Sequence, residues 1–158
     1  MKQYIYQVDR EAPMEAPSLG NARFFHAPGV LQVVGLTRYL VPLIGVGGTL
    51  KTFLKLMTRR RQFYGVIDAG RLVHTGWIAL GFCRHYHVET TSAVMGPIWS
   101  DPGCRGKGYA TGALIRAINQ LIGSGIHRFY IDTSEDNVAC RRVIEKAGFG
   151  AAKSVYER

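Results

Sequence analysis

A glycine-rich turn near the middle of the chain holds the residues best suited to bind an anion. The apolar run 93–99 is typical of a buried strand, and the turn that follows it contains Arg105, Gly106, Lys107 and Gly108. A helical pattern begins after this turn, and the first N–H groups of a helix lack internal partners while its dipole adds positive charge. Because the glycines expose the backbone and the basic side chains add charge, the stretch predicts a phosphate site.

The turn matches neither of the two common nucleotide motifs. A P-loop requires Ser or Thr after its Gly-Lys pair, and here Gly108 follows Lys107. A dinucleotide site requires a third glycine, and that position is occupied by Thr111. From these residues alone, a phosphate site and a surface turn with two basic side chains both remain open.

A second group of reactive side chains lies upstream of this strand. If residues 81–89 are extended, one face carries Cys83, His85, His87 and Glu89. These residue types bind metals, but no second group of ligands accompanies them, and a half-exposed strand facing a cleft or solvent is the alternative. We therefore expect no metal site.

The elements that position these residues are read from periodicity and turn residues. Strands are predicted at 4–8, 62–67, 71–80, 93–99, 127–133 and 150–158, with a hairpin turn at 68–70. Helices are predicted at 30–40, where a strand is the alternative, and at 49–60, 110–121 and 137–147. The order is β-α-α-β-β-β-α-β-α-β, and either an extension of the third strand or a loop covers 81–89.

The helix at 49–60 combines an apolar stripe with basic side chains. Gly47 and Gly48 break the chain before it, and Thr49 is its predicted cap. Its apolar stripe is Leu50, Phe53, Leu54 and Met57, and its basic residues are Lys51, Lys55, Arg59 and Arg60. Two interpretations remain open, a domain helix with a solvated basic face and a helix that lies on a membrane.

Composition limits the class of protein. The 158 residues predict one domain over 1–158, and the net charge of +9 is compatible with an anionic partner such as nucleic acid or a membrane surface. The apolar stretch 40–50 is too short to cross a bilayer, so no transmembrane segment is expected. Three separated cysteines and the lack of a signal-peptide pattern predict reduced thiols and a cytoplasmic location.

Two motifs resemble those of the GNAT superfamily, the acyl-CoA-dependent N-acyltransferases. The run 105–110 resembles the family's Arg/Gln-x-x-Gly-x-Gly/Ala signature. The run 137–149 resembles its Asn-x-x-Ala-x-x-Leu-Tyr-Glu-Lys-Leu-Gly-Phe pattern through Asn137, Glu145-Lys146 and Gly148-Phe149. The two motifs occur in the family's order over 93–149, which is much more specific than either alone.

The resemblance implies both a fold and an activity. The fold would be α/β (α+β), a GNAT-like mixed, mostly antiparallel central sheet flanked by helices, with the family's final strand missing. The activity would be an N-acetyltransferase that moves an acetyl group from acetyl-CoA to a primary amine of a small molecule or sugar. The amine would attack the coenzyme A thioester directly in a ternary complex.

The resemblance also assigns residues to the acyl donor. A backbone N–H near a bulge in the fourth strand, about Ile98, Trp99 and Ser100, would polarise the thioester carbonyl. Asn137 would contact the pantetheine arm, with a helix cap as the alternative role. The coenzyme A pyrophosphate would be held by Arg105, Gly106, Lys107, Gly108, Tyr109, Ala110 and Thr111.

The sequence departs from the family pattern where protons are handled. Ile144 occupies the position of the tyrosine that often protonates the departing thiolate, which leaves Cys140, Ser134 and solvent as alternatives. An amine acceptor must lose a proton before attack. The predicted general bases are Glu89, which is the first choice, and His87, with His85 as a further candidate and an exposed loop carboxylate as the alternative interpretation of Glu89.

Other functions and assemblies follow from the same features. The isoleucine at 144 favours a catalytically inactive module that binds acyl-CoA. The charge suggests nucleic acid, but aromatic and basic residues do not alternate and no DNA-binding spacing is present, so no nucleic-acid partner is expected. The missing final strand would leave a sheet edge near Val155, which predicts a homodimer.

Overall fold

The computed structural model describes residues 1–157 and places their strands in a single sheet. The strands are β1 (Lys2–Asp9), β2 (Arg23–Ala27), β3 (Arg61–Asp68), β4 (Arg71–Leu80), β5 (Ala93–Ser100), β6 (Arg128–Ser134) and β7 (Ser154–Glu157). The helices are α1 (Val30–Val34), α2 (Thr37–Met57), α3 (Tyr109–Gly123) and α4 (Val138–Lys146).

The sheet is mixed and mostly antiparallel, as predicted. Its order is β2-β3-β4-β5-β6-β1-β7, and β5 and β6 form the parallel pair while the other neighbours are antiparallel. The β3–β4 hairpin turns at Ala69 and Gly70, both with positive φ. The first strand of the chain lies between β6 and the last strand, so both ends of the chain contribute to one side of the sheet.

The described residues form seven strands, one more than the sequence predicted. The unpredicted strand is β2, which has five residues and pairs with β3 alone at the edge of the sheet. A strand this short shows no clear alternation of apolar and polar residues, because three of its residues are only half-buried. At the other end of the sheet, β1 lies between β6 and β7. The outermost strand there is β7, which contains Val155, where the sequence predicted an open edge.

The predicted boundaries of the first two helices are wrong. The chain does not break at Gly47 and Gly48, because α2 continues through both and its kink lies at Gly45, where φ is 71° and ψ is 174°. Thr49 does not cap the helix but lies buried inside it, and its hydroxyl donates to the Gly45 carbonyl over 2.8 Å. Glycine alone accommodates this positive φ without strain, so Gly45 takes the break and the later glycines remain helical.

The largest core cluster lies between the sheet and the helices α3 and α4. The predicted periodicity of α3 is confirmed, since Ala113, Leu114, Ala117, Ile118 and Leu121 are all buried. A second cluster lies between α2 and strands β3 and β4. A third lies under residues 81–92, which form a loop and not an extension of the strand. The strand pair β5–β6 is therefore covered by α3 and α4 on one face and by this loop on the other.

Candidate active site

The parallel strands β5 and β6 separate before they end. Their pairing runs from Ala93 and Phe129 to Met95 and Ile131 and goes no further. On the other side of β5 the register with β4 shifts at the same place, so that Gly96 and Pro97 form an irregularity opposite Trp77. The predicted bulge is therefore present, immediately before Ile98. Between the separating strands lies a cavity of about 490 Å³.

This cavity is lined by residues from both faces of the sheet. On one side it is lined by Ile98, Ile131 and Cys140, which pack with the core under α3 and α4. On the other side it is lined by Val94 and Phe82, which pack with the core under the 81–92 loop. A cavity with walls from both faces can receive one molecule from each side and bring them together between the strands.

The predicted phosphate turn has the geometry of an anion site. Gly106 and Gly108 are exposed, their φ angles are 81° and 78°, and a Cβ at either position would meet no atom within 4 Å. The first hydrogen bond of α3 runs from the Gly112 N–H to the Gly108 carbonyl, 2.9 Å away. The N–H groups of Tyr109, Ala110 and Thr111 therefore lack helical partners and are available to an anion.

Two carboxylates hold this turn on the sheet. Asp68 accepts a hydrogen bond of 2.8 Å from the Tyr109 hydroxyl and lies 3.9 Å from Nζ of Lys107. The hydrogen bond to Asp68 raises the pKa of Tyr109. Asp101 accepts from the Gly103 N–H at 2.9 Å and pairs with Arg71. The side chain of Arg105 is left exposed at the mouth of the turn.

The side chains of residues 98–100, whose backbone was predicted to polarise the thioester carbonyl, have separate surroundings. Ile98 lines the cavity between the strands. Trp99 lies on the opposite face of the sheet, where an apolar pocket of about 270 Å³ separates it from α2. The Ser100 hydroxyl is 2.8 Å from Nδ1 of His74. Their backbone remains beside the bulge.

His74 and Tyr64 form a buried polar pair that the sequence did not reveal. Neither side chain is exposed, and Nε2 of His74 and the Tyr64 hydroxyl have no hydrogen-bond partner within residues 1–157. Burial lowers the pKa of His74 to about 4, so this imidazole is neutral at physiological pH. The Tyr64 ring occupies the space that a Cβ at Gly76 would fill.

The N-terminus of α4 closes one side of the cavity. Oδ1 of Asn137 accepts a hydrogen bond of 3.1 Å from the Cys140 N–H, so Asn137 is a helix cap, and it also lines the cavity. Ser134 and Cys140 line the cavity as well, whereas Ile144 is fully buried in the core. Burial raises the pKa of the Cys140 thiol.

The two predicted general bases are not brought to this cavity. Glu89 accepts hydrogen bonds from the Tyr130 hydroxyl at 2.7 Å and from Nη1 of Arg128 at 2.9 Å, and these contacts lower its pKa. It lines a smaller cavity with Asp9 and Arg128. His87 is exposed and lines neither of these cavities. Within residues 1–157 no three side chains of metal-binding type form a cluster.

His85, the further candidate base, and Asp132, which was not predicted, line the cavity instead. His85 lines it and stacks on Tyr156 with ring centroids 5.8 Å apart. Asp132 also lines it and accepts hydrogen bonds from the hydroxyls of Tyr156, at 2.8 Å, and Tyr86, at 3.2 Å. The sequence analysis did not find Asp132, because a polar residue within a strand is normally predicted to face solvent. Only the separation of β5 and β6 places it on a cavity.

Comparison with known proteins agrees with this geometry. The model of the acetyltransferase (GNAT) domain family matches residues 46–150. This chain belongs to the GNAT acetyltransferase family. No curated protein matches it. The GNAT family comprises acyltransferases, so the separated strands, the glycine turn and the capped α4 are parts of an enzyme fold.

Solved structures share the GNAT fold at low sequence identity. A predicted acetyltransferase with acetyl-CoA from Clostridium acetobutylicum is 21% identical, with a TM-score of 0.58 over 87% of this chain and 95% of that one. The aminoglycoside 6'-N-acetyltransferase AAC(6')-Ih from Acinetobacter baumannii is 17% identical, with a TM-score of 0.60 over 87% and 97%. A GNAT-family acetyltransferase from Colwellia psychrerythraea is 19% identical, with a TM-score of 0.59. This chain spans about half of that protein, 51%, while 93% of this chain is covered.

Proposed function

We propose that this GNAT protein is an N-acetyltransferase that moves an acetyl group from acetyl-CoA to a primary amine of a small molecule or sugar. The observation that carries the proposal is the separation of β5 and β6 after Met95 and Ile131, which leaves a cavity between the strands on the side of β5 that leads to the glycine turn. One structural neighbour is described with acetyl-CoA and another is an aminoglycoside acetyltransferase, and both descriptions are compatible with this activity.

The residues at the site fit the acyl donor. The N–H groups of 109–111 with Arg105 and Lys107 would hold the pyrophosphate, and Asn137 would reach the pantetheine arm. Acetyl-CoA supplies a thioester carbonyl that an amine can attack directly in a ternary complex. Because Pro97 has no N–H, the backbone donors beside the bulge are those of Gly96 and residues 98–100, and these would polarise the carbonyl.

The base that deprotonates the acceptor is proposed from the cavity walls. Asp132 and His85 lie on the cavity, and either removes a proton from an amine directly or through water. Glu89 and His87 remain predicted bases that would have to act through a longer chain of water. For the departing thiolate, the groups on the cavity are Cys140 and Ser134, and solvent is the further acid, since Ile144 has no proton to give.

The test is consumption of acetyl-CoA in the presence of amino sugars, polyamines, amino acids, aminoglycosides and peptides. Turnover with a primary amine supports the proposal. Binding of acetyl-CoA without turnover of any amine supports the second candidate, an inactive acyl-CoA-binding module, which the buried Ile144 favours. Absence of acetyl-CoA binding contradicts both candidates.

We also propose that residues 1–158 form one acyltransferase domain in the cytoplasm. The pairing of β1 with both β6 and β7 supports the first statement, because the two ends of the chain complete the same sheet. The three free cysteines support the second, since reduced thiols persist in a reducing compartment.

A further inference from the structure

The second half of α2 carries an apolar stripe that faces away from the protein. The stripe consists of Val46, Leu50, Leu54 and Met57, which are 74%, 59%, 56% and 66% exposed. At 3.6 residues per turn these four positions fall within a sector of about 80° on the helix surface. Of the predicted stripe, Phe53 packs against the second core cluster, whereas Leu50, Leu54 and Met57 face outward.

A different face of the same helix packs on the sheet. Thr49, Thr52 and Leu56 are buried there, and Leu56 packs with Phe63 of β3 and Leu72 of β4. Residues 37–57 are long and apolar enough to cross a membrane by length and composition, and 22% of the most apolar window is buried. Because the packed face holds α2 along the sheet, the outward stripe suits a helix that lies on a surface and not one that crosses a bilayer.

The surroundings of the stripe are strongly basic. Residues 16–67 contain seven Lys and Arg side chains and no Asp or Glu. Lys51 lies beside the stripe, and Arg59 and Arg60 follow the end of the helix. Lys55 lies one turn after Lys51 and places its Nζ 5.0 Å from the centre of the Trp77 ring. All four side chains are exposed. Within residues 1–157 none of these four pairs with a carboxylate, so their positive charge is not neutralised.

We propose that α2 docks this protein on an anionic lipid surface. The stripe would enter the boundary between headgroups and acyl chains while the basic side chains contact lipid phosphates. A second copy of the chain is a poor occupant, since face-to-face packing would bring like charges together. The stripe is a row of exposed side chains on one helix, which a deformable lipid surface accepts without the complementary groove that a folded partner must supply.

Sedimentation with vesicles tests this proposal without any use of enzyme activity. The protein is expected to bind phosphatidylcholine vesicles that contain about a third phosphatidylglycerol, and to be released as salt screens the charges. Pure phosphatidylcholine vesicles should bind it weakly. The double variant Leu50→Gln/Leu54→Gln should lower partitioning about tenfold or more, because both leucines supply apolar area to the lipid.

Charge and control variants separate the two contributions. Lys51→Gln and Arg60→Gln should each lower partitioning about fivefold, the effect of one basic residue near an anionic surface. Val138→Gln is the matched control, since Val138 is 52% exposed on α4, and it should leave partitioning unchanged. All these side chains are exposed, and melting temperatures of the variants should stay near that of the wild type.

Three results would overturn the proposal. The first is an absence of binding to the anionic vesicles. The second is binding that is equal on neutral vesicles or that survives loss of both leucines. The third is a dimer, seen by light scattering, that Leu50→Gln/Leu54→Gln converts to monomer, because a second copy would then cover the stripe.

Discussion

At the scale of single residues, Gly108 is the position on which the proposed donor site depends most directly. It has a positive φ at the start of α3, and its open surroundings leave the helix N-terminus accessible. Gly108→Asp places a side chain and a negative charge where the pyrophosphate is proposed to lie. Calorimetry should show that acetyl-CoA binding is lost.

Gly125→Asp is the control for this variant. Gly125 also has a positive φ, and a Cβ added there would meet no atom within 4 Å, but it follows the far end of α3. The two variants should lose similar stability, on the order of 1 to 2 kcal/mol, from the left-handed conformation. Unchanged affinity in a folded Gly108→Asp protein, or equal loss in Gly125→Asp, would refute the assignment of the turn.

His74 is expected to make stability depend on pH in mildly acidic solution. Its pKa is near 6.5 when unfolded and is lowered to about 4 in the fold, so the unfolded state binds the proton more readily. The neutral His74 therefore makes its full contribution to the free energy of unfolding above pH 6.5. As the pH falls toward 4, the free energy of unfolding decreases by about 3 kcal/mol. Urea unfolding across this range should show the decline.

The comparison for that measurement is His74→Asn, which retains a polar group near Ser100 but does not titrate. Its stability should be lower at neutral pH and should fall less between pH 6.5 and 4. Asp9 and Glu89, whose pKa values are lowered by their partners, are unchanged in both proteins and lose their contribution at lower pH. Parallel pH profiles for the two proteins would mean that His74 is not the titrating group.

At the scale of elements, the proposed general base lies either on the 81–92 loop, with His85, His87 and Glu89, or on strand β6, with Asp132. Asp132→Asn should lower kcat/KM about a hundredfold or more and remove the low-pH limb of the rate profile. Glu89→Gln should keep most of the activity, because Glu89 does not line the cavity. Its carboxylate accepts hydrogen bonds from Arg128 and Tyr130 of β6 and so holds the loop on the sheet. His85→Ala removes a side chain that lines the cavity, and the matched variant His87→Ala removes one that does not.

The outcomes of this comparison are distinct. If Glu89→Gln or His87→Ala alone removes the low-pH limb, the base predicted from the sequence is correct and the assignment to Asp132 fails. If none of the four variants changes the limb, the acceptor is deprotonated in solution before it binds.

The elements also show what sequence reasoning can and cannot find. The glycine turn, α3 and the cap at Asn137 were predictable because each depends on neighbours along the chain. The separation of β5 and β6 was not predictable, since it depends on pairing between distant segments. Because of this separation Asp132 lines a cavity, whereas Glu89 forms an ion pair with Arg128. Similarly, the period of α2 gave its apolar stripe but not which face the sheet would cover.

At the scale of the whole molecule, assembly depends on the outer strands of the sheet. The homodimer was predicted from a missing seventh strand, and in the structure β1 fills the place beside β6 from the same chain. What remains is the outer strand β7, four residues long, with Val155 48% exposed. The prediction of a homodimer through the edge near Val155 therefore stands as it was made, on this outer strand.

Val155→Lys tests the prediction, because a lysine on an edge strand opposes pairing with another edge. Light scattering at high protein concentration should give a dimer mass for the wild type and a monomer mass for the variant. Leu50→Gln/Leu54→Gln should leave this dimer intact, since the stripe on α2 is proposed to contact lipid and lies on a helix packed against β3 and β4, remote in the strand order from β7. A wild-type protein that remains monomeric would show that four residues of edge are too few to pair two copies, and that the chain completes its sheet alone.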